Sequence, residues 1–173
     1  LKALVAERSA LPESEVLALA LQMVSVLAYL HGLSPPMVHQ DFTPDNLLLT
    51  ERGVLKLVDF NVAKERQNTK TALVVGKHAY MPPEQFKGKV CPQSDIYALG
   101  ASLHFLLTGT DPEPLSCCHP AQQNERVSEQ MDAIVAKATS LELADRYLDV
   151  AALHKDLTEL AGMRERETTG AQA

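Results

Sequence analysis

Apolar residues along the chain fall into runs of two periods, and the two periods predict different elements. Leu1, Leu4 and Val5 lie on one side of a short helix over 1–9. Pro12, followed by Glu13 and Glu15, breaks and restarts the chain, because proline suits a helix's first turn and acids suit its positive end. From 13 to about 31, Val16, Leu17, Leu19, Leu21, Val24, Val26, Leu27 and Leu30 leave no broad polar face, which predicts a helix buried on most sides. Gln22, Ser25 and the flanking acids argue against a membrane span there. Gly32 ends this helix, and Pro35 with Pro36 keeps the following residues extended. Three short apolar runs, 37–38, 47–49 and 54–58, then predict strands, with Glu51, Arg52 and Gly53 as a hairpin turn between the last two. Residues 61–75 are polar and predict a surface loop.

After Pro82 and Pro83 a further loop is expected to reach Gln93, and Ser94 or Asp95 to cap a helix ending at Thr108, where Gly109 follows. Ile96, Leu99, Leu103, Phe105, Leu106 and Leu107 again leave that helix little polar face. The stretch 109–127 is Pro-rich and aperiodic. Two amphipathic helices, about 128–138 and 149–161, close the pattern, with Arg146 in the turn between them. The polar tail 164–173 is expected to fray. The fold class expected is α+β, mainly α-helical.

Composition narrows the class. A chain of 173 residues can bury one good core but not two ordinary ones. Hydrophobic residues at 46% and charged residues at 22% fit a globular domain. A net charge of −6 does not suggest a nucleic-acid or anionic-membrane surface. Three cysteines, an odd number, fit a reducing, cytoplasmic setting better than a disulfide framework. Cys117, Cys118 and His119 are adjacent, but no second ligand pair sits at metal spacing, so zinc is not expected. No signal peptide, internal repeat or low-complexity tract is recognisable.

The candidate chemistry lies in V-H-Q-D-F-T-P-D-N at 38–46 and L-K-L-V-D-F-N at 55–61. Each places an Asp, Asp41 or Asp59, at the edge of a short apolar run, and Asn46 adds a third polar group. Two strands with Asp in their turns would account for either half alone. Together, at this spacing, they describe carboxylates held at one mouth over a buried floor.

The first segment resembles the catalytic loop of a protein kinase (H-R-D-L-K-P-x-N), and the second its metal-binding D-F-G segment. G-K-H-A-Y-M-P-P-E at 76–84 resembles the end of an activation segment, and S-D-I-Y-A-L-G at 94–100 the start of the long buried helix after it. Four motifs in order identify a bacterial-type serine/threonine protein kinase. The resemblance implies its C-terminal lobe only: a kinase-like domain at 1–163 with a small β-hairpin region, then the tail. A Gly-rich loop, a strand Lys and its Glu partner would precede Leu1, within roughly another hundred residues.

By that resemblance Asp41 is the catalytic Asp that accepts or orients the proton of the substrate hydroxyl. Asn46 and Asp59 hold Mg2+ and the phosphates of ATP, and Leu48 is the floor under the adenine ring. His39 packs beneath Phe60. Glu84 pairs with Arg146, and Asp95 hydrogen-bonds the catalytic loop from below. These last five support the site without reacting.

Three departures matter. Gln40 stands where many kinases carry an Arg that binds a phosphorylated activation loop, so phosphorylation of Thr69 or Thr71 is not expected to be required. Asn61 replaces the Gly of D-F-G, and is the least costly substitute if φ is positive there. Thr43 and Lys77 exchange the family's usual Lys and Thr. Lys77 is then expected to compensate charge at the transferred phosphate while Thr43 bonds Asp41; the alternative is two tolerated surface changes.

The expected activity is ATP-dependent phosphoryl transfer to Ser or Thr hydroxyls of a protein substrate by the parent protein. These 173 residues alone are expected to be inactive, for no G-x-G-x-x-G occurs in them. The alternatives are a pseudokinase or binding module that keeps the lobe geometry, and a truncated docking or regulatory piece.

Overall fold

The computed structural model describes residues 1–59 and 78–170, with side chains through 166. The described elements are helix α1 (Lys2–Arg8), helix α2 (Glu13–His31), strands β1 (Leu47–Leu49) and β2 (Leu55–Leu57), and helices α3 (Pro83–Phe86), α4 (Pro92–Thr108), α5 (Glu129–Ala138) and α6 (Val150–Gly170). A single 3-10 turn, Pro120–Gln122, lies in the Pro-rich connection.

α4 is the axis of the core: every position from 94 to 107 is buried. α2 packs against α4 and α6, and α5 against α4. By length and composition alone α2 could cross a bilayer. Its apolar character is spent on the core instead, with Val16, Ala20, Met23 and Leu27 fully covered. The close approach of α4 to α5 depends on Gly100, where a Cβ would lie 2.7 Å from Ala138 Cβ and 2.9 Å from Thr139 Cγ2.

β1 and β2 form an antiparallel hairpin in the register Leu47 to Leu57, Leu48 to Lys56 and Leu49 to Leu55. Alternation turns Leu47 and Leu55 into the core and leaves Leu48 and Lys56 outside. Gln22 of α2 fixes the hairpin from beneath: its Nε2 donates to the Gly53 carbonyl (3.1 Å), and its Oε1 accepts the Leu55 amide (2.9 Å).

Four local expectations are corrected. No strand forms at 37–38, because the Met37 amide donates to the Leu30 carbonyl and folds the chain onto the end of α2. A four-residue helix, α3, interrupts the expected loop after Pro82. α4 begins earlier than expected, with Cys91 as N-cap, Pro92 at its first position and Ser94 closing a capping box. α6 continues through 163 to Gly170, so the polar tail extends the helix. Arg164 on that extension pairs with Glu13, whose carboxylate also accepts the Ser128 amide (2.6 Å) and hydroxyl (2.8 Å) at the N-cap of α5.

Candidate active site

The buried start of α4 positions the catalytic loop. Asp95, with no exposed surface, accepts the Gln40 amide at Oδ1 (2.9 Å) and the His39 amide at Oδ2 (2.8 Å). His31, at the end of α2, adds a third partner: its Nε2 lies 2.9 Å from the same Oδ2. A carboxylate with three partners satisfies itself and two loop amides, one buried and one partly buried, that would otherwise lack an acceptor. Ser102, two turns further along the same face, shares its hydroxyl between the Ala98 carbonyl (2.8 Å) and the Phe42 carbonyl (3.2 Å), and so ties the loop to α4.

This anchoring keeps Gln40 in the left-handed region, φ 65°. That conformation costs a non-glycine residue about 1–2 kcal/mol and persists here because both of its peptide groups are held. Asp95 takes the amide, and Gln85 Nε2 from α3 donates to the carbonyl at 2.8 Å. The next residue is Asp41. Asp59 also has positive φ, 60°, and its side chain is exposed. Asn61, the least costly substitute for Gly if φ is positive there, lies outside the described residues; two positions earlier, an Asp carries positive φ.

Asn46 joins the two motifs. Its carbonyl accepts the Val58 amide at 2.9 Å, which continues the hairpin pairing and sets Asp59 beside it. Its Nδ2 donates to the Asp41 carbonyl at 2.8 Å. With the amide's donor committed there, Oδ1 is the atom available to a ligand. One amide oxygen and one exposed carboxylate form the hard-oxygen, low-count donor set that magnesium accepts while keeping waters and phosphate oxygens. Among the described residues no group of three His, Cys, Asp or Glu could hold a metal by itself.

Thr43 does not act as expected among the described residues. Its link to Asp41 runs through the backbone, amide to carbonyl at 3.0 Å. Its hydroxyl is buried and reaches no hydrogen-bond partner there, because the side chain turns into the protein beneath the loop. Its partner in the exchange, Lys77, lies outside the described residues, as do Thr69, Thr71 and Phe60. His39 is buried and meets Phe42 edge-on, ring centroids 6.0 Å apart. Leu48 is half-exposed on the outer face of β1.

Glu84 and Arg146 form the expected buried pair, Nη1 to Oε1 at 2.7 Å and Nη2 to Oε2 at 3.3 Å. Ser94 donates to Glu84 Oε1 (2.9 Å), and Arg146 also donates to the Gln93 and Ser140 carbonyls, both at 2.9 Å. Burial alone would raise the Glu84 pKa. The hydrogen bond and charge of Arg146, with help from Ser94, outweigh it and leave the carboxyl below its ordinary range.

The protein kinase domain family matches residues 1–161. The chain belongs to the protein kinase family. It is 33% identical to the serine/threonine-protein kinase PknL of Mycobacterium tuberculosis, over 93% of this chain and 44% of that protein. It is 38% identical to the tyrosine-protein kinase MasK of Myxococcus xanthus, over 64% of this chain and 20% of that protein. The crystal structure of a cysteine-to-alanine mutant of the PknI kinase domain from Mycobacterium tuberculosis superposes with a TM-score of 0.74 at 24% identity, covering 92% of this chain and 60% of that one. The fold is therefore a kinase fold, mainly helical with one two-stranded sheet. The chain spans less than half the length of PknL.

Sequence reasoning missed His31, Gln85 and Gln22. His31 carried a faint signal, a polar residue closing an otherwise apolar helix immediately before Gly32. Gln85 and Gln22 carried none, because their partners are backbone groups fixed by the tertiary fold.

Proposed function

We propose that the protein of which this chain forms part transfers the γ-phosphoryl group of ATP to serine or threonine hydroxyls of a protein substrate. The observation that carries this is the double role of Asn46, which ties the Asp41 loop to the Asp59 segment through one residue. Asp41 would orient the attacking hydroxyl and accept its proton, held in place by the strained, doubly anchored Gln40 before it. Asn46 and Asp59 would hold Mg2+, which supplies charge neutralisation at the transferred phosphoryl group. Leu48, exposed above the hairpin, would carry the adenine ring. Lys77 would compensate charge at the transferred phosphate. Serine/threonine preference rests on Thr43-Pro44-Asp45-Asn46 in the loop, and on the names of most relatives. A cytoplasmic site of action accords with three free thiols.

A second reading, a nucleotide-binding module that transfers nothing, is favoured by Thr43: no ammonium stands at the position where serine/threonine kinases carry Lys. Two assays on the intact protein separate the readings, Mg2+-dependent ATP binding and phosphate transfer to a generic Ser/Thr substrate. Binding with transfer supports the proposal. Binding without transfer supports the second reading, and absence of both contradicts each.

A further inference from the structure

A second constellation lies away from the phosphoryl-transfer site, where the Pro-rich connection meets α5. Cys117 is exposed, with its Sγ 3.9 Å from His119 Nε2 and 3.2 Å from the Ala136 carbonyl. The opposite ring nitrogen, His119 Nδ1, lies 2.9 Å from Asp132 Oδ2. Asp132 cannot easily turn away, because its Oδ1 accepts the Ala121 amide at 2.9 Å. An ionised carboxylate only accepts hydrogen bonds, so Nδ1 carries the hydrogen. In the neutral ring, Nε2 then presents its lone pair to the thiol. Nucleophile, base and orienting acid stand within reach of one another, the grouping that can activate a thiol.

We propose that Cys117 is a redox modification site, a thiol activated by His119 and Asp132 that reacts with small hydroperoxides. The S–H turns from the Ala136 carbonyl to His119 Nε2, which takes its proton, and the thiolate attacks one peroxide oxygen. The S–O bond forms as the O–O bond breaks, so sulfur is oxidised to a sulfenic acid and the peroxide is reduced. The departing hydroxide takes the proton back from His119 and leaves as water. The neighbouring thiol is set apart from this chemistry. Cys118 is buried, its amide is held by Thr139 Oγ1 at 2.8 Å, and burial pushes its pKa up to about 11.

The test exposes the intact protein to limiting hydrogen peroxide with a sulfenic-acid trap. Chymotryptic peptides, fragmented to separate Cys117 from Cys118, report the rate at each cysteine, and the same protein unfolded in urea gives the unactivated rate. Cys117 is expected to react about tenfold faster folded than unfolded, and His119→Gln and Asp132→Asn to remove that advantage while Cys91 is unchanged. His119→Gln keeps a polar side chain facing Asp132, and its unfolding midpoint shows that the fold is retained. Equal rates at Cys117 folded and unfolded, or an unchanged rate in His119→Gln, overturn the proposal.

Discussion

Asp95 and Gln40 are 55 positions apart in sequence, yet the carboxylate of one accepts the backbone amide of the other at 2.9 Å and fixes it in a left-handed conformation. The strain that aims Asp41 is thus held by a side chain on the central helix. Replacing Asp95 with Asn keeps the volume but presents an NH2 group to one of the two loop amides, the buried one of His39 or the partly buried one of Gln40. Leaving such a group unsatisfied costs about 1–3 kcal/mol. The expected outcome is a lower midpoint in thermal unfolding together with a fall in phosphate transfer greater than the lost folded fraction explains.

The Glu84–Arg146 pair should show itself in both mutation and pH. Arg146→Met leaves Glu84 buried without its cation, a loss of about 3–5 kcal/mol, measurable by chemical denaturation. Because the folded-state pKa of Glu84 is lowered, the folded protein binds this proton more weakly than the unfolded chain. Its contribution is present above the ordinary carboxylate range and is lost as pH falls through that range and below. Stability measured from about pH 6 to pH 3 should therefore fall less steeply in Glu84→Gln than in the wild type.

Gly100 is held to glycine by packing, not by backbone angle. A methyl group there would meet Ala138 Cβ at 2.7 Å, and neither helix backbone can yield cheaply. Gly100→Ala is expected to destabilise by about 1–3 kcal/mol, although alanine is the better helix former. A raised unfolding midpoint would show that α4 and α5 separate more readily than their contact implies.

The buried helices were legible in the sequence for a simple reason: α2 and α4 are apolar nearly all round, and only burial explains that. The short pieces were not. α3 is set by Pro82 and Pro83 and has too few residues to show a period, while Cys91 is an unusual N-cap. α6 reads as ending at 161 because its last turns are polar, but Arg164 on that polar extension finds Glu13 across the fold. At the site, Asp41, Asn46 and Asp59 were legible as types at a spacing. The joint through Asn46 and the clamp on Gln40 were not, because each of the four hydrogen bonds involved has a backbone group on at least one side.

Gln40 carries no charge, and both of its peptide groups are already engaged. A phosphate on Thr69 or Thr71 would find no guanidinium at this position. Changing both to Ala is expected to leave phosphate transfer by the intact protein within about twofold of wild type, where loss of a charge-assisted phosphate contact would cost more. Loss of activity in the double variant would mean that another cation reads the phosphate.

The most direct measurement is the kinetic effect of Asp41→Asn in the intact protein. If Asp41 orients the hydroxyl and takes its proton, kcat should fall by about 10²–10⁴-fold while the KM for ATP with Mg2+ stays near wild type. Phosphate transfer at an undiminished kcat would contradict the assignment of this loop as the catalytic one.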